Sequence, residues 1–380
     1  MEATQKMKKG YYIFQTSFNY QNELKNSGIY KKIISQCKTL MNFFDIKIDI
    51  INYHAETGVV KSLHRRLPFT ATAYRWKYTG QYDNADFIYF RRVIHDKTVI
   101  DFLRDIKRSN PNLKIIYEFP TYPYDKELKG LKNFPFIWKD RYYRRKLHKY
   151  VDRSVTYHKH KIIFGIPSVQ PMNGIDFGSV KMANYKLNLA SINIISVAVP
   201  SFWHGYDRFL RGLGKYYKSG GKRNIVFHMV GDGVEIPLYK QIIEEYGIME
   251  HIVLHGSKSG AELDAVYDMC CLGVGTLGEH RKGISYSSAL KSREYGAKGL
   301  PIITSILIDY IPKDYKYQLN IPADDSPVDM MSVFKFYDKI YEKESPKKVA
   351  HTIRKFAKAH CDMSITMKPV IDYIMEELEK

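Results

Sequence analysis

Short apolar, β-branched runs alternate with segments of helical period along most of this 380-residue chain, in two separate series. Strand, helix, strand is the order of parallel βαβ units. In the first series Tyr11–Ser17, Ile46–Asn52, Phe87–Phe90, Lys114–Phe119, Ser154–Tyr157 and Ile162–Ile166 read as strands. Ser27–Phe44 carries Ile29, Ile33, Ile34, Cys37, Leu40, Met41 and Phe44 at helical spacing. The second series has strands at Ile192–Val199, Ile225–Val230, Ile252–His255, Cys271–Gly275 and Pro301–Thr304, with helices that include Gly260–Met269 and Ser287–Lys298. Gly165–Asn188 lies between the two series, lacks an apolar period and holds Pro167, Pro171, Gly174 and Gly178. The expected organisation is an α/β fold with doubly wound domains over residues 1–172 and 173–350. Helices over 351–380 are expected to pack back toward the first domain, and the crevice between domains is the default ligand site.

Either half is long enough to bury its own core, so neither disulfide nor metal is needed for stability. Cys37, Cys270, Cys271 and Cys361 form no disulfide framework and read as buried small hydrophobes in a reducing, cytoplasmic setting. No apolar run approaches the ~20 residues of a membrane span, and Met1–Gly10 lacks the apolar stretch of a secretory signal. Residues 54–84, rich in His, Arg, Thr and Tyr without a period, read as a long loop, and Tyr142–Tyr150 as a basic helix.

The net charge is +19, and residues 1–172 account for +17 of it, with 32 Lys and Arg against 15 Asp and Glu. A field concentrated on one domain suits an anionic surface. The clusters His64–Arg66, Arg91–Arg92 and Arg141–Lys149 are expected to hold an anionic membrane face peripherally by charge alone, without amphipathic insertion. No nucleic-acid reader motif accompanies the charge, so nucleic acid is not an expected partner.

The segment Ser287–Ser305, SSALKSREYGAKGLPIITS, is the most informative. A helix that starts after serines offers free N–H groups to phosphate oxygens, and Glu294 places a carboxylate in mid-helix. This segment resembles the donor-site helix of glycosyltransferase family 4. Asn173–Asp176 (NGID), Val230–Gly233 (VGDG), His255–Gly256 and Asn26–Ile29 (NSGI) resemble four further marks of that family in the same order. The resemblance implies a GT-B fold, two Rossmann-like doubly wound domains facing across a cleft. It implies a retaining transfer of a hexose from a nucleoside-diphosphate sugar, with no cofactor and no metal. The WHGYDR segment and LKxREY helix look like those of bacterial capsule and exopolysaccharide enzymes. The expected acceptor is therefore a glycan or an undecaprenyl-pyrophosphate-linked glycan at the inner face of the cell membrane.

By the same resemblance Glu294 would bond the donor ribose. Gly28, Gly231, His255, Gly256, Ser288, Ala289, Leu290 and Lys291 would line the donor. The family's two cations after the first strand of the second domain are replaced here by Val199 and His204, and its earlier Glu by Tyr286. Arg281 and Lys282, from the inserted stretch Gly278–Gly283, are expected to take over with His204 and Arg208. Glu118, which ends a strand before Pro120, is the acid–base candidate at the rim. Asp324–Asp325 reads as a helix-start signal rather than a metal motif.

Overall fold

The computed structural model describes residues 7–16, 28–53, 58–125, 133–188 and 190–380. The chain divides into two compact units, Met1–Met172 with Thr366–Lys380, and Asn173–Ile365. Helix Pro346–Cys361 thus belongs to the second unit and helix Lys368–Glu379 to the first. The returning residues bring two lysines and four acids, which takes the first unit to +15 and the second to +4.

Among the described residues, the first unit is built on a seven-stranded sheet. Its order is Asp45–Asn52, Lys9–Thr16, Phe87–Arg91, Lys114–Phe119, Arg153–Thr156, Ile166–Val169 and Ile162–Ile163. All pairings are parallel except the last. Phe87, Ile88, Tyr89 and Phe90 are all buried, so both faces of the central strand are covered, as parallel sheets require. Helix Lys97–Ser109 starts where Asp96 accepts hydrogen bonds from the Thr98 and Val99 N–H groups, and it buries Val99, Ile100, Phe102, Leu103 and Ile106.

Three expectations for this unit change. Ile162–Ile166 is not one strand: the chain turns back at Phe164 (φ 49°) and Gly165 (φ 83°) to form an antiparallel pair. The stretch read as a long loop contains helix Val59–Arg66, which buries none of its residues and so leaves no apolar stripe pointing at a core. The basic helix is displaced: helix Phe134–Arg144 ends within it, and a 3₁₀ turn follows at Leu147–Lys149.

In the second unit a parallel sheet runs Ile252–Gly256, Ile225–Val230, Ile192–Val197, Leu272–Val274, Ile302–Thr304 and Gln318–Asn320. Numbered within the unit, this is the doubly wound order 3-2-1-4-5-6, with its switch point between Ile192–Val197 and Leu272–Val274. The sixth strand was not expected from the sequence. The donor-like helix starts at Leu290 rather than Ser287, because Tyr286–Ser287 pairs with Leu307–Ile308 in a separate two-stranded ladder. Asp324 and Asp325 start no helix; Asp329 caps helix Met330–Tyr341 through the Met331 and Ser332 N–H groups. All four cysteines are buried and free.

Candidate active site

Loops that leave the carboxyl ends of the two switch-point strands meet in the second unit. Gly205 (φ 65°) ends the first loop, and a Cβ there would sit 2.6 Å from the Gly278 nitrogen of the second. The Leu277 N–H donates to the His204 carbonyl at 2.8 Å, closing the junction. The turn after the second strand is jammed in as tightly. Gly231 (φ 122°) could not carry a Cβ, which would fall 1.7 Å from the Ala198 carbonyl oxygen. Its N–H donates to the Gly256 carbonyl at 2.8 Å, which draws the end of the third strand to the same place.

Tyr295 fixes the helix beneath these loops. Its hydroxyl accepts from the Val197 N–H (3.2 Å) and donates to the Val274 carbonyl (3.0 Å), so one side chain stitches both switch-point strands. The start of helix Leu290–Lys298 is held by a buried set. Arg293 pairs with Asp309, and Ser288 donates to Asp309 at 2.6 Å. The Asn173 N–H donates to Ser288 Oγ at 3.1 Å, and Arg293 Nε donates to the Asn173 carbonyl at 3.1 Å. Ser288 is thus an anchor, and Ala289, the N-cap, offers no side-chain cap to the N–H groups that follow.

Lys291 lies in the first turn of that helix. Its ammonium donates to the Tyr206 hydroxyl at 2.7 Å, and the His204 ring stacks on Tyr206 with centroids 5.5 Å apart. Burial brings the Lys291 amine down to about 7, against the opposing pull of Glu294 and Glu279. Burial, then the charges of Lys291 and Lys282, takes His204 down to about 3. His204 Nδ1 accepts from the Ser201 N–H at 3.0 Å, so the neutral ring carries its proton on Nε2. Glu294, half-buried one residue before Tyr295, also raises the Tyr267 hydroxyl, after burial.

The structure does not bring every expected cation to this point. Arg208 is 1% exposed. Its guanidinium donates to the carbonyls of Leu277, Ser326 (2.8 Å) and Pro322 (2.9 Å) and pairs with Asp324 at 3.2 Å. It braces loops. Arg281 forms a two-pronged pair with Asp207 (3.0 and 2.9 Å), pairs with Asp325 (2.7 Å) and donates to the Phe202 carbonyl (2.7 Å). Lys282 pairs with Glu279 at 2.7 Å and lies 4.8 Å over the Trp203 ring. His255 Nε2 is 3.0 Å from His228 Nδ1, and the two rings stack.

In the first unit Glu118 is not at a rim. It is 0% exposed, paired with Arg91 (2.6 Å) and Lys32 (3.7 Å), and accepts from Tyr89 (2.9 Å), Tyr157 (3.1 Å), Gln36 (3.2 Å) and Tyr12 (3.4 Å). Burial pushes its pKa up, but Arg91 and Lys32 outweigh burial and hold it below the usual range. Gly28 opens helix Gly28–Met41, and a Cβ there would meet nothing within 4 Å. Asn26 and Ser27 of the same motif lie outside the described residues. Among the described residues no three His, Cys, Asp or Glu side chains converge as a metal-holding group, and no helix is long and apolar enough to cross a membrane.

No family model and no curated protein matches the chain. Solved structures do. HepE of Anabaena, in complex with UDP, shares 10% identity at a TM-score of 0.59, covering 97% of this chain and 100% of its own. A glycosyltransferase from Rickettsia africae shares 11% at 0.60, covering 98% and 99%. Sucrose-phosphate synthase of Thermosynechococcus elongatus shares 11% at 0.61, covering 97% and 99%. At such identities the likeness is one of fold, and the fold of this chain is GT-B.

Proposed function

We propose that the protein is a glycosyltransferase that takes a hexose from a nucleoside-diphosphate sugar and transfers it with retention to a glycan acceptor. The observation that carries this is the group at the switch point. The uncapped N–H groups of helix Leu290–Lys298 lie with the Lys291 ammonium, the His204 ring is joined to Lys291 through Tyr206, and the Glu294 carboxylate acts on Lys291 from the same helix. A departing nucleoside diphosphate develops negative charge, and preorganised N–H donors stabilise it in the transition state. Glu294 would accept from the ribose hydroxyls, and the UDP held by HepE on the same fold suits this reading. Phosphate oxygens beside Lys291 would return its amine to the charged form, so donor binding takes up a proton above about pH 7. The donor set is of nitrogen groups, so turnover is expected to persist in EDTA.

The acceptor, lipid-linked and at the inner membrane face, belongs to surface-polysaccharide synthesis in this reading, and the +15 first unit would receive it. One observation favours a second reading, a non-catalytic sugar-nucleotide-binding partner of an active transferase: Arg208 and Arg281 are both engaged by neighbouring loops. A thermal-shift screen against nucleoside diphosphates and their sugars, followed by donor turnover with glycan acceptors, tests both. Stabilisation with turnover supports the enzyme, and stabilisation without turnover the partner. No stabilisation by any nucleotide would defeat both.

A further inference from the structure

Single exposed apolar side chains are ordinary on a protein surface; a group of them on adjoining elements is not. Helix Val59–Arg66 buries no residue. Val59, Val60 and Leu63 share one side of it, and Leu67 continues that side past its end; all are exposed, Val60 by 79%. Phe69 follows, 70% exposed. Lys61, Ser62, His64, Arg65 and Arg66 occupy the remaining positions of the same short helix.

An eight-residue helix led by two valines has little stability of its own. It is held from one end. The buried Lys139 ammonium donates to the carbonyls of Arg65 (2.7 Å) and Thr70 (3.0 Å), and Arg65 Nε donates to the Thr72 carbonyl (2.5 Å). Lys139 belongs to helix Phe134–Arg144, which buries Lys139, Asp140 and Tyr143. Its outer side carries Phe134, Trp138 and Tyr142 at four-residue intervals, all exposed, with the Trp138 and Tyr142 rings stacked 5.7 Å apart. Lys146 lies 4.4 Å over the Tyr142 ring, and Arg141 pairs with Asp125 at 3.1 Å on the same helix's border.

We propose that Val59–Phe69 and the Phe134–Tyr142 stripe form a docking surface for an anionic lipid bilayer. Val60, Leu63 and Phe69 enter the headgroup boundary, and Trp138 and Tyr142 sit at the interface, where amphipathic rings concentrate. Charge selects this occupant: the apolar stripes are interspersed with lysine and arginine on a unit of +15, and anionic headgroups complement that field. The contact combines insertion with charge, in contrast to the purely electrostatic attachment expected from the sequence. It rests on the membrane-face reading of the acceptor, and since none of these residues belongs to the switch-point group, its failure would leave the transfer reading in place.

The test is co-sedimentation of the full chain with phosphatidylglycerol–phosphatidylcholine vesicles and with phosphatidylcholine alone. The chain should bind the anionic vesicles far more strongly than the neutral ones and retain in high salt only the weak part that insertion supplies, because insertion is not screened. The Leu63→Ser, Phe69→Ser double variant should partition roughly tenfold or more weakly, as the apolar area it loses is considerable. Its melting temperature and nucleotide binding should stay as they were. Absence of binding to anionic vesicles by the folded chain, or equal binding by the double variant, would overturn the proposal. So would a self-associated species in sedimentation velocity that the double variant dissolves, which would give this face to a second copy of the chain.

Discussion

Each unit holds one charged side chain back from water, Glu118 fully buried near a strand's end and Lys291 half-buried in the first turn of a helix, and the two charges are handled in opposite ways. In the first unit the Glu118 carboxylate meets two cations and four neutral donors and is held ionised. In the second unit the Lys291 ammonium meets a neutral phenol as its hydrogen-bond partner and is held near its titration point. A buried charge whose partners are already present holds the fold together; a buried charge left short of counter-charge is a place where an anion can supply what is missing. That contrast, more than the presence of a carboxylate at a strand end, separates a structural group from a candidate for chemistry.

The largest effect should come from the first of these. Glu118→Ala leaves Arg91 and Lys32 buried without a counter-charge, and unfolding in urea should show a loss of about 3–5 kcal/mol. The pH dependence has a fixed sign. The folded pKa of Glu118 is depressed, so its contribution is present above the unfolded carboxylate value of about 4.3 and is lost as pH falls through the folded value. An unchanged acid limb in the variant would show that Glu118 is not the group that matters. Lys291→Met should act on turnover instead, lowering it ~10- to 1000-fold with the fold intact. In the parent protein nucleotide affinity should strengthen as pH falls through about 7, where the amine charges, and the variant should lose that dependence. The free protein should behave in the opposite sense: with the folded amine depressed, its stability should rise from about pH 7 toward the unfolded lysine value of about 10.4. Calorimetric titration in buffers of different ionisation enthalpy measures the proton uptake directly.

Glu294→Ala should weaken nucleoside-diphosphate binding by about 1.5–3 kcal/mol while leaving the helix intact, because alanine suits a helix at least as well. Equal affinity in the variant would remove Glu294 from the site. Arg281→Ala should have the smallest effect, about 1–2 kcal/mol in stability: its partner Asp325 is largely solvent-exposed and adds little, and the loss comes from the two-pronged pair with the less exposed Asp207. A loss of turnover far beyond what that loosening explains would return Arg281 to the phosphates.

The strands were legible wherever apolar runs were continuous. Lys114–Phe119 and Ile225–Val230 stand where the periodicity places them. Gln318–Asn320 was not legible: three residues, two of them amides, carry neither alternation nor length. The fate of the arginines was not legible either. Arg208 looked like a ligand cation because its partners, Asp324 and the Pro322 and Ser326 carbonyls, come from more than a hundred residues further on. Tyr295 shows the reverse case. Nothing in the sequence singles it out, yet its hydroxyl is what ties the helix to both switch-point strands.

The return of the chain to its first unit has a consequence for the order of assembly. Met367 Sδ accepts from Gln36 Nε2 beside Glu118, Glu377 pairs with Lys114, and Tyr373 lies under Arg153. Residues 366–380 leave the ribosome after the entire second unit, so the first unit to be translated is the second to be completed. Until then its strands wait without helix Lys368–Glu379, whose Val370, Ile371 and Ile374 are buried in the finished fold. A cut after residue 172 reproduces that waiting state. Such a fragment lacks its last helix, so a polypeptide meant to behave as the first unit must join residues 1–172 to 366–380 by a linker.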